Sequence, residues 1–134
     1  MRVAERMRQV TVSLPPTASL ADAQRAMVAH SLAWVPVVQN GRLVGLVGDE
    51  DLAAAHPSPA TTLAMGEVTY HLTTIPVTAV MRPDLPVVVP DTPLAEAAIL
   101  LRDEGLGALP VVEEGRLVGL LCAHDLVALL ASGT

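Results

Sequence analysis

The stretch PVVEEGRLVGLLCAHDL spans Pro110 to Leu126, and PVVQNGRLVGLVGDEDL spans Pro36 to Leu52. The two are one sentence written twice, 74 residues apart. The same offset carries Gly41 onto Gly115, Gly45 onto Gly119 and Asp51 onto Asp125. It also carries Met7-Arg8 onto Met81-Arg82, Pro16 onto Pro90 and Leu20 onto Leu94. An ungapped match of this length identifies an internal duplication.

Each copy reads as strand, helix, hairpin, helix. In the second copy LPVVV (85–89) has the β-branched character of a strand. Thr92 is then the expected N-cap of a helix, with Pro93 at its first position. Leu94, Ala97, Ala98 and Leu101 fall at i, i+3, i+4 and i+7, one apolar helical face, and Gly105 ends the helix. The first copy places Leu20, Ala23 and Met27 on the equivalent face and Ser31 at the stop. Two apolar runs follow, PVV and RLVGL, around Asn40-Gly41 or Glu114-Gly115. Asn-Gly between strands signals a hairpin, because both residues tolerate positive φ. The last helix of each copy is expected to start near Asp51 or Asp125. The domain reading is a first repeat at 1–56, a linker at 57–76 that crosses between the copies, and a second repeat at 77–134.

The chain has 134 residues, enough for one domain or two very small ones. A half of about 60 residues buries only about 60% of its surface alone, which favours two halves that share a core. Hydrophobic residues make up 51% of the chain, aromatics 1%, and Phe is missing. Val, Leu, Ala and Met must therefore build the interior. The net charge of −6, from 14 acidic and 8 basic residues, argues against nucleic acid or an anionic membrane as partner. The single cysteine, Cys122, excludes an internal disulfide and fits a reducing, cytoplasmic setting. No signal peptide and no apolar run of about 18 residues stands in the sequence.

The ordered set M81-R-P, P90-D-T-P-L-A-E-A, G105-L-G-A-L-P-V-V, G115-R-L-V-G-L and D125-L, with its partners 74 residues earlier, resembles the CBS domain family. Two such units in tandem resemble a Bateman module. The resemblance implies an α/β (α+β) fold of two β-α-β-β-α units, packed through their sheets about a pseudo-twofold axis, with a cleft for each repeat. It implies a regulatory sensor of adenosine-containing ligands (AMP, ADP, ATP, S-adenosylmethionine or NAD), energy sensing among its roles, commonly a homodimer and not an enzyme. No cofactor is then required; an adenine nucleotide would be the ligand. The alternative is a dimerisation or interaction module with degenerate clefts, which acts on a partner protein without ligand.

In the family an Asp after the hairpin accepts ribose hydroxyls, and a Thr or Ser three residues earlier helps to hold phosphate. The matching residues here are Asp125 and Asp51, with Cys122 and Gly48 in the hydroxyl positions. Each Asp has a plainer reading as a helix N-cap. The first turn, GDED, sets like charge against a phosphate, whereas CAHD offers His124 as a cation at low pH. The Asp125 site is therefore the better nucleotide site, and adenosine survives this comparison better than phosphate. Gly48→Thr and Cys122→Thr would restore the hydroxyls and favour phosphate-bearing ligands. The adenine-facing positions implied by the family are Val87, Val88, Ala108, Leu109 and Pro110, and Ser13, Leu14, Trp34, Val35 and Pro36. Trp34, the one Trp, has three open roles: to stack on a base, to fill the first cleft, or to meet a second protomer. Arg2, Arg6 and Arg8 are available to neutralise a phosphate, or are simply solvated. His30, His56, His71 and His124 lack metal-ligand spacing, and Cys122 with His124 on one turn does not make a nucleophile. With no catalytic domain fused to it, the module would act in trans on another protein, as a complete small chain.

Overall fold

The computed structural model describes residues 1–55 and 73–132. The linker expected at 57–76 lies outside the described residues except for its last four positions. The elements in chain order are β1 (Arg8–Gln9), α1 (Leu20–His30), β2 (Trp34–Gln39), β3 (Arg42–Gly48), α2 (Asp49–Ala55), α3 (Leu94–Glu104), β4 (Ala108–Glu113), β5 (Arg116–Cys122) and α4 (Ala123–Ala131). Short 3₁₀ turns at Val3–Glu5 and Val77–Ala79 precede the Met-Arg pair of each copy.

The chain forms two compact units, and they are cut differently from the repeats. One unit is Val12–Asp84; the other joins Met1–Thr11 to Leu85–Thr134. Each unit thus takes its Met-Arg segment from the other copy's leader. The exchange follows the 74-residue offset bond for bond. Arg82 and Leu46 exchange backbone hydrogen bonds of 2.8 and 3.1 Å, while β1 pairs antiparallel with β5 through Arg8↔Leu120. Ser19 bridges Pro76 in one unit, and Arg2 bridges Pro93 in the other. Val77 is fully buried in the first core, as Val3 is in the second.

In the Val12–Asp84 unit, β2 and β3 form an antiparallel hairpin with Val37 opposite Gly45 and a bulge between Val37 and Val38. Asn40 and Gly41 both have positive φ, 55° and 80°, as a type I′ turn needs. Leu14 runs parallel to β2 through bonds to Pro36 and Val38. The helix α1 starts at a capping box: the Ser19 hydroxyl accepts from the Asp22 N–H, and Asp22 accepts from the Ser19 N–H. That backbone donor pulls the Asp22 carboxyl below its ordinary range. Leu20, Ala23 and Met27 face Val35, Val37, Val47 and Leu52 in a core of Leu, Val, Ala and Met.

The second unit repeats this plan. Val111 opposes Gly119, the bulge falls between Val111 and Val112, and Glu114-Gly115 takes the same turn with φ of 53° and 79°. Leu94, Ala97 and Leu101 of α3 close on Leu109, Val111 and Leu121. Two expected details differ. The stretch 85–89 makes one parallel bridge, Val88 to Val111: Val88 bonds Pro110 and Val112, whereas Val89 turns its bonds to Thr92. Thr92 does not cap α3: Pro93 takes the cap position, and the Thr92 hydroxyl accepts from the Val89 N–H at 3.1 Å. A hydroxyl committed to the preceding turn is not available to the helix.

Candidate functional site

Asp125 is the third residue of α4, not its cap; Cys122 holds that position without a side-chain capping bond. What engages the carboxylate comes from the other end of the chain. Arg8 Nε donates to Oδ2 and Arg8 Nη2 to Oδ1, both at 2.7 Å. This is the two-donor fork that makes arginine–carboxylate pairs strong and directional. The side chain of Asp125 is 23% exposed and that of Arg8 52%. The Arg8 hydrogen bonds hold the Asp125 carboxyl below its ordinary range against the opposing effect of burial, with the charges of Arg8 and His124 adding to the shift. An open cleft of about 410 Å³ lies beside Asp125, lined by Glu5, Arg6, Met7, Ala128, Leu129 and Ser132.

Around it, Ala108 stands opposite Cys122 in the β4–β5 register, and Pro110 opposite Leu120. Ala108, Leu109 and Pro110 are all buried. Alternation along β4 sends Leu109 and Val111 into the helix-covered core and turns Ala108 and Pro110 to the other face. Val88 is also core, whereas Val87 is 44% exposed. The side chains of Leu109 and Val88 therefore face the core, and the Val88 N–H and C=O are taken by Pro110 and Val112. His124 is exposed and Cys122 half-buried. Burial pushes the Cys122 thiol up and the charge of Asp125 pushes it further, with Arg8 opposing, so a reactive thiolate is disfavoured.

The first copy has the same parts in a different state. Asp51 Oδ2 accepts from the Gly48 N–H at 2.8 Å, and Arg82 Nε lies 3.5 Å from Oδ1. Asp51 thus ties its own turn as the third residue of α2, where the sequence suggested a cap. Trp34 stands opposite Gly48 in the hairpin, and the Arg82 guanidinium sits 5.6 Å from the Trp34 ring centroid. Of the three roles open to Trp34, the observed contacts are internal, with Gly48 and Arg82. Pro36 and Val35 are buried, and Ser13 is exposed.

The sequence pointed to both Asp residues and to their turns. It did not assign Arg8 and Arg82 to them, although Met-Arg recurs at the repeat offset. Of the other cations, Arg2 pairs with Asp91 at 3.2 Å, and Arg6 donates to the Met1 sulfur at 3.4 Å. Among the described residues no group of three His, Cys, Asp or Glu is placed to hold a metal ion, and no helix is long and apolar enough to cross a membrane.

Comparison with known proteins agrees with the duplicated architecture. The profile of the CBS domain matches residues 3–58 and again 77–132. A CBS domain-containing protein of Dictyostelium discoideum is 35% identical over 123 residues, covering 90% of this chain and 83% of its own. The crystal structure of CBSX2 in complex with AMP superposes with a TM-score of 0.79 at 27% identity, over 98% of this chain and 97% of the other. A CBS domain pair solved with 5-methylthioadenosine and S-adenosyl-L-methionine superposes equally well, TM-score 0.79, at 20% identity, over 97% of this chain and 99% of the other, which speaks for the fold. The chain belongs to the CBS domain family and carries two such domains in tandem.

Proposed function

We propose that this chain is a regulatory module that binds an adenosine-containing nucleotide at the second repeat, around Asp125. The observation that carries the reading is the Asp125 carboxylate: part-buried at the start of α4, ionised, and already gripped by a matched pair of donors on both oxygens. A ribose diol offers the same pair of donors. Ala108 and Pro110, on the face of β4 turned away from the core, would supply apolar surface for adenine. The likeness to the AMP complex of CBSX2 supports this choice of ligand. The chain would not be an enzyme itself. It would act as a homodimer on a protein in trans in the cytoplasm, with a second copy covering Val127 and Leu130 of α4, which are 62% and 75% exposed.

A second reading applies to the first repeat. Trp34 over Gly48, with Arg82 against the ring, is a packed arrangement that suits a structural or interaction role for that half.

The test is a thermal-shift panel with AMP, ADP, ATP, adenosine, S-adenosylmethionine and NAD, with and without magnesium. At 100 times its Kd a ligand stabilises by about 2.7 kcal/mol, on the order of 10 °C for a chain of this size. A shift with one or two adenosine compounds is expected. No shift at millimolar concentration with any of them overturns the ligand reading and leaves an interaction module.

A further inference from the structure

The two Arg–Asp pairs occupy equivalent places, but they are not equally able to open. Arg82 is confined by the Trp34 ring and makes one long contact, 3.5 Å, with an Asp51 that is also tied to the Gly48 N–H. Arg8 makes two contacts of 2.7 Å, and its side chain is half exposed. Its backbone is held independently, by the β1–β5 pairing at Leu120. The side chain can therefore leave Asp125 without the segment leaving the sheet.

We propose that Arg8 is an exchangeable counterion that makes the Asp125 site selective for anionic nucleotides. The inference rests on the ribose reading of Asp125. A ribose diol and the Arg8 fork compete for the same two carboxylate oxygens, so ribose binding expels Arg8 from Asp125. An uncharged nucleoside then leaves the guanidinium without its anion, and the lost ion pair counts against binding. A ligand with a phosphate returns an anion to Arg8, which takes it through the same fork. Arg8 thereby does the work of the hydroxyl missing at Cys122. A sulfonium ligand such as S-adenosylmethionine adds positive charge beside the displaced arginine and is disfavoured. This reverses the preference for adenosine over phosphate inferred from Gly48, Cys122 and the charges of the two turns.

The experiment is titration calorimetry of AMP, adenosine and S-adenosylmethionine against the full chain, its Arg8→Gln variant and its Arg8→Lys variant, with folding checked by circular dichroism. The parent chain is expected to prefer AMP to adenosine by roughly tenfold or more, the difference a charge-assisted pair makes. In Arg8→Gln, AMP weakens about tenfold while adenosine holds or tightens, so the ratio falls towards one. Arg8→Lys retains part of the AMP preference. Equal weakening of AMP and adenosine in Arg8→Gln, or a ratio unchanged from the parent, overturns the selectivity role while leaving the ribose site standing. Adenosine compounds that fail to bind the parent chain, or that bind Asp125→Ala as well as the parent, overturn the site itself.

Discussion

A Cβ placed on Gly48 would lie 2.7 Å from Cζ3 of Trp34 and 2.8 Å from its Cη2. The Trp ring occupies the volume that a side chain at position 48 would need. The small residue at Gly48 and the large one at Trp34 thus share one space between paired strands. In the second copy the same register pairs small Ala108 with Cys122.

Gly48→Thr is therefore not a simple restoration of a phosphate-binding hydroxyl. It is expected to destabilise the chain by about 1–3 kcal/mol through overpacking. Combined with Trp34→Ala, the cost should fall well below the sum of the single changes, with a favourable coupling of roughly 0.5–3 kcal/mol. Urea denaturation of the four species measures the coupling. Additive costs would show that Trp34 moves aside freely.

Gly119 is restrained first by backbone, whereas the atoms nearest Gly45 belong to a side chain. A Cβ there would meet the Arg8 carbonyl oxygen at 2.8 Å and the Met7 sulfur at 2.9 Å. Gly119→Ala should loosen the β1–β5 pairing and raise protease and hydrogen-exchange sensitivity across residues 2–9. At Gly45 the close atoms are the Met81 sulfur at 2.6 Å and its Cγ at 2.9 Å, with the Arg82 carbonyl at 3.1 Å. A flexible thioether yields more readily than a strand backbone. Gly45→Ala is expected to cost less, and a larger loss at Gly45 would contradict this reading.

Acid should weaken the Arg8–Asp125 pair. The Asp125 carboxyl lies below its ordinary value in the folded chain, chiefly through the Arg8 hydrogen bonds. Its contribution is therefore fully present above the unfolded carboxylate range and is lost as pH falls through the folded value. Arg8 stays charged throughout. Glu5 and Arg6 also line this side of α4. With Arg8 half exposed, about 1 kcal/mol or less is at stake. The stability difference between the parent chain and Asp125→Asn should shrink on acidification. A difference that grows would reverse the sign.

Ser31 ends α1 in the left-handed region, φ 52° and ψ 48°, where Gly105 ends α3 at φ 62°. A side chain there carries strain that glycine avoids, partly offset by the freedom glycine adds to the unfolded chain. Ser31→Gly should raise stability by about 0.5 kcal/mol, and Gly105→Ala should lower it by roughly 1 kcal/mol. The midpoint of urea unfolding should move with an unchanged m-value.

The duplication, the two hairpins and the apolar faces of α1 and α3 were legible in the sequence, and Asp51 and Asp125 stood out as candidates. The duplication shows as an ungapped offset of 74 residues, while the hairpins and helix faces rest on spacing within about fifteen residues, where periodicity and turn chemistry act. What the sequence left open was which groups meet those carboxylates. Arg8 lies 117 residues from Asp125, and its approach depends on the leader of one copy crossing to the sheet edge beside the other copy's hairpin. Nothing local distinguishes Arg8, which grips Asp125, from Arg6, which contacts Met1. Likewise Trp34 and Gly48 read as two separate departures until the register set them face to face. Local propensity determined the elements. Strand pairing across the length of the chain decided how each site is charged and whether its space is filled.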